Sequence, residues 1–73
     1  MNKKNLASFE VKQEALTLAH NLLRTKLVNV THDNMRDVNV LNKLVERLTS
    51  PSDRSKVTYH ECMQVITIAN RHK

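Results

Sequence analysis

Apolar side chains recur at three- and four-residue intervals through three stretches of this chain, and polar clusters separate the stretches. At roughly 100° per residue, Val38, Leu41, Leu44, Val45 and Leu48 fall on one stripe. Tyr59, Cys62, Met63, Val65, Ile66 and Ala69 form another. The first stretch has a broader arc, with Leu16, Ala19, Leu23 and Leu27 along one edge and Val11, Ala15, Leu18 and Leu22 along the other. These spacings predict helices over about 8–28, 31–49 and 58–72. The expected fold is all-α, a small three-helix bundle with an antiparallel first pair. It forms a single domain over residues 1–73, with residues 1–6 flexible.

Start signals agree with these spans. Thr58 and Glu61 have the spacing of a capping box, in which a hydroxyl takes the N3 amide and the carboxylate reaches back. Ser8 can cap the first helix, and Thr31 or Asp33 the second. Ser50-Pro51 reads as a cap followed by proline, so a short extra turn is expected over 51–56. The chain has no glycine to end a helix in the left-handed region, leaving Asn29 and Asn70 as the best substitutes. The β-branched runs Val28–Thr31 and Val65–Ile68 are the weak points of the pattern.

Charge follows the same order. Glu10 and Glu14, Asp33 and Asp37, and Glu61 open the three stretches; Arg24 and Lys26, Lys43 and Arg47, and Arg71 and Lys73 close them. Acid at the start and base at the end complement helix dipoles, which gives most of these charges a structural reason to exist. The formal net charge of +5 permits a nucleic-acid or acidic-protein partner without demanding either. An up-down-up bundle would spread the cations over both ends, whereas a duplex binder concentrates them on one face.

Composition narrows the remaining classes. A core this small rarely yields more than about 3–5 kcal/mol of net stability without staples. The single cysteine, Cys62, cannot close an internal disulfide, which fits a cytoplasmic setting. Phe9 and Tyr59 are the only aromatics and are expected to be buried in an otherwise aliphatic core. Glu10, Lys12 and Glu14 interrupt the apolar run after the basic start, so neither a signal peptide nor a membrane span is expected. Abundant asparagine and lysine match the coding style of an AT-rich genome, that of a low-GC bacterium or a phage of one, and a phage-encoded host-modifying protein is one expectation that follows.

Catalytic and metal readings fare poorly. Glu10 and Glu14 are better explained as first-turn acids than as paired catalytic carboxylates. His60 and Cys62 are two apart on a helix, so their side chains diverge by roughly 200° and cannot share a metal or a proton. Cys62 lies on the apolar stripe as a small core residue. His32, Asp33 and Asp37 read as helix-start groups rather than ligands. No enzyme activity, metal or other cofactor is expected.

Two binding readings remain. Val40 and Ile68 fall outside the stripes and Leu18 lies at the edge of the first arc, so a hydrophobic contact surface is expected at these three, with His60, Gln64 and Arg71 as polar neighbours. That makes the protein a small regulator or inhibitor that binds another protein or a second copy of itself as a homodimer. The alternative is a nucleic-acid-binding regulator, with His60, Gln64, Thr67 and Arg71 lined up on the outer face of the third helix. Against it stand the long Ser50–Val57 connection and the lack of free aromatics for stacking.

Overall fold

The computed structural model describes residues 6–72, which form α1 (Phe9–Arg24), α2 (Met35–Thr49) and α3 (Tyr59–Arg71). A single 3-10 turn, Arg54–Lys56, lies between α2 and α3, where the extra turn was expected. The helices run up, down and up. The Ala7 N–H donates to the Val57 carbonyl over 3.1 Å, and Leu6 makes an isolated antiparallel bridge with Thr58, so α1 and α3 start at the same end. Arg47 near the end of α2 meets Glu61 at the start of α3, while Asp37 near the start of α2 meets Arg71 at the end of α3. Residues 1–5 of the segment expected to be flexible lie outside the described residues; Leu6, its last member, is held by the bridge.

Helix starts follow their caps. Ser8 Oγ accepts from the Val11 N–H at 3.2 Å, and Thr58 with Glu61 completes the capping box. The second start differs from expectation: α2 begins at Met35 rather than at 31. Residues 31–34 instead make a closed turn, in which the Thr31 N–H donates to Asn34 Oδ1 (2.7 Å) and the Asn34 N–H donates to Thr31 Oγ1 (3.2 Å). The amide of Asn34 also donates to the Asn29 carbonyl at 3.0 Å, drawing the preceding loop into the same knot. Side-chain bonds of this kind offer the backbone an alternative to helix, and here they win.

One helix end differs too. α1 stops at Arg24 instead of running to 28. The hydroxyl of Thr25 donates to the Asn21 carbonyl at 2.7 Å, and its backbone leaves the helical region. The Leu27 N–H then reaches back to the Leu22 carbonyl at 2.8 Å, which folds Leu27 into the core after the helix has ended. No non-glycine residue among those described has a positive φ, so neither Asn29 nor Asn70 serves as a left-handed terminator; Asn70 lies within α3.

The core is entirely aliphatic apart from one thiol. Ala15, Ala19 and Leu22 of α1 face Val38, Leu41, Leu44 and Leu48 of α2 and Cys62, Val65 and Ile68 of α3. Ala7, Leu27 and Val57 close it from the connections. Phe9 and Tyr59, expected inside, are 75% and 47% exposed. Both open their helices, and each stands about 120° around the helix from a central core residue, Ala15 and Val65 respectively. Ile68, expected outside, is only 4% exposed. α3 is contacted by both α1 and α2, so its buried face is wider than a stripe drawn for one partner.

Candidate functional site

α2 and α3 touch each other less than either touches α1, and their outer seam opens into a groove. Both helices present the same register to it. Arg36, Val40, Lys43 and Arg47 follow i, i+4, i+7 and i+11 on α2, as do His60, Gln64, Thr67 and Arg71 on α3. The wider part, ≈ 310 Å³, is lined by Arg36 and Val40 of the first row, by all four residues of the second, and by Asp37, Met63 and Ile68. It continues past Val40 and Gln64 into a hollow of ≈ 150 Å³ that reaches Lys43, Leu44, Arg47 and Glu61. The floor is apolar: Ile68 and Leu44 are buried, and Val40 and Met63 are half-buried.

Each end of the seam is closed by a carboxylate. Asp37, mostly buried, accepts from Arg71 Nη2 at 2.7 Å, and His72 Nε2 lies 3.0 Å from its other oxygen. At the opposite end Glu61 divides its oxygens. One accepts from the Thr58 N–H at 2.8 Å within the capping box, and the other receives Arg47 Nη1. Arg36 and Lys43 make no ion pair among the described residues, so their charges stand at the rim unanswered.

The residues expected to form a contact surface divide accordingly. Val40, His60, Gln64, Ile68 and Arg71 all line the wider groove, although Ile68 does so as part of the buried floor and Arg71 is held by Asp37. Leu18 lies elsewhere, half-buried on α1 and packed against the core, so it is not part of this surface. Arg36, Lys43 and Met63 belong to the groove and were missed. The signal for the first two was available, since α2 repeats the spacing noticed on α3. Met63, on the apolar stripe of α3, is half-buried at the seam rather than enclosed in the core.

His60 and Cys62 diverge as their spacing requires: the imidazole is exposed at the groove and the thiol is wholly buried. Burial pushes the Cys62 thiol up from its ordinary value, and the positive charge of Lys12 opposes the shift without cancelling it. Among the described residues no group of three His, Cys, Asp or Glu side chains is placed to hold a metal ion. Asp37 is engaged with Arg71 and His72 rather than with Asp33 or His32.

A second concavity, ≈ 580 Å³, lies where the start of α1 meets the end of α2 and the 3-10 turn. Phe9 and Leu16 give it apolar surface, and Lys12 and Arg54 are its charged residues. No protein-family model, curated protein or solved structure matches the chain, so these surfaces are read on their own chemistry. No helix among the described residues is long and apolar enough to cross a membrane.

Proposed function

We propose that this protein is a small non-enzymatic interaction module that regulates or inhibits a partner protein by binding it along the α2–α3 groove. The observation that carries this reading is the seam itself. Two helices turn matched rows of polar and charged residues outward on either side of half-buried Val40 and Met63, which no other element among the described residues covers. A structural surface needs no such floor, whereas helix and peptide recognition does. Photo-crosslinking in lysate of the source cells tests it, with a benzoylphenylalanine placed at Gln64 and, as control, at exposed Thr17 on α1. A discrete adduct from Gln64 alone, lost in Val40→Asp with helicity retained, supports the reading. Adducts at both positions, or none, oppose it.

Nucleic-acid binding stays as a second reading on one observation. Phe9 and Tyr59 are exposed, and Phe9 stands beside Lys12 and Arg54, so the lack of free aromatics no longer counts against single-strand binding. Its original site on α3 is weaker than expected, because Arg71 already pairs with Asp37. Labelled single-stranded and duplex DNA titrated over a salt series decides the matter. Affinity that falls steeply with salt and drops further in Phe9→Ala would establish it. Absence of binding at low salt removes it.

A further inference from the structure

Resting on the protein-binding reading above, we infer that the occupant of the α2–α3 groove is an acidic amphipathic helix of another protein. Shape comes first. From Arg36 to Arg47 the seam is about 16 Å long at 1.5 Å per residue, or three helical turns. Half-buried Val40 and Met63, with buried Ile68 beneath them, lie along the seam between two helices that already run antiparallel. A third helix, α1, covers these two from another side, so a helix laid in the open seam completes a four-helix bundle. Its apolar side chains at i, i+3, i+4 and i+7 would meet the floor.

Charge then selects the helix. Among the described residues, the rim charges that make no ion pair are both positive, on Arg36 and Lys43. The carboxylates that line the groove, Asp37 and Glu61, are both spent on cations of this chain, Arg71 and Arg47. His60, Gln64 and Thr67 add neutral donors and acceptors along the other rim. A second copy of the chain would bring the same rim and a net charge of +5 against it, which disfavours a groove-to-groove dimer. Flanking Glu or Asp on a partner helix meets both free cations at once.

A display library of helical peptides about four turns long tests this, with the apolar positions fixed and the flanking positions randomised over Glu, Lys, Gln and Ala. The enriched peptides should be acidic, should perturb amide resonances of Val40, Met63 and Gln64, and should bind about tenfold or more tighter than their Glu→Lys twins. That preference should reverse in the double variant Arg36→Glu, Lys43→Glu, which leaves the floor intact. Binding should also vanish in Met63→Asp. If that variant loses helicity, the resonance map on the unaltered protein stands in its place. Basic or neutral peptides that map to the groove would overturn the acidic helix while leaving the groove as a partner site. Peptides that never map to the groove would overturn both. Sedimentation showing a dimer at low salt, disrupted by Val40→Asp, would replace the acidic partner with a second copy.

Discussion

Two residues on one turn of α3 show how sharply position divides chemistry. His60 faces the groove, and Cys62, two positions on, is enclosed by the core. Their divergence was readable from the 100° step alone. So were the stripe residues Val38, Leu41, Leu44, Leu48 and Val65. What the step could not supply is where the centre of each buried arc lies, and that error put Tyr59 inside and Ile68 outside. The enclosure of Cys62 has a measurable consequence. Alkylation by iodoacetamide at pH 8 should be slow in the native protein and rapid in denaturant, because the reactive thiolate is both scarce and shielded. The thiol's native pKa is raised above its ordinary value of 9.0, so the folded state holds the proton longer than the unfolded chain does. Its contribution to stability is therefore complete below pH 9 and lost as the pH climbs past it. Urea midpoints for the wild type should fall over that range more than those of Cys62→Ala. Equal slopes would mean that the thiol titrates freely.

At the scale of elements, existence and type were legible, and so were the boundaries except at the end of α1 and the start of α2. The apolar period announced three helices, and short polar motifs fixed two starts through Ser8 and through Thr58 with Glu61. The boundaries that moved are those where a threonine or asparagine side chain bonds the backbone: Thr25 at the end of α1, and Thr31 with Asn34 before α2. Such bonds leave no periodic trace, since residues on either side keep an apolar rhythm that would also suit a helix. Leu27 is the clearest case. Helical spacing and the turn that replaces it both bury this side chain, by different routes. Its neighbour distinguishes them: Val28 is exposed beyond the helix end. Leu27→Ala should cost about 2–5 kcal/mol in urea denaturation, as a cavity in the core does. Val28→Ala should stay within about 0.5 kcal/mol, as surface substitutions do. Comparable losses at the two positions would place Val28 in the core as well.

For the whole molecule, a small aliphatic core with no disulfide leaves stability open to whatever binds the folded state. The α2–α3 seam is the sparsest contact among the three α-helices, lined by Val40, Leu44 and Ile68 and bridged by an ion pair near each end. Partly exposed pairs of this kind contribute at most about 1 kcal/mol each. No single sequence position announces such a seam. It arises where α2 and α3 lie side by side, and it could be anticipated only by asking which row of α2 matches the row seen on α3. A ligand that fills it adds packing where packing is least. An acidic helix from the selection above, supplied at a hundred times its dissociation constant, should stabilise the fold by about 2.7 kcal/mol. For a domain of this size that amounts to a rise of roughly 10–20 °C in the melting temperature. Slower amide exchange should extend over α2 and α3 and reach α1 only through global unfolding. The Arg36→Glu, Lys43→Glu variant should show neither effect with the acidic peptide and both with its Glu→Lys twin. A rise of the same size in both proteins with the acidic peptide would mean that it stabilises the bundle from some other face.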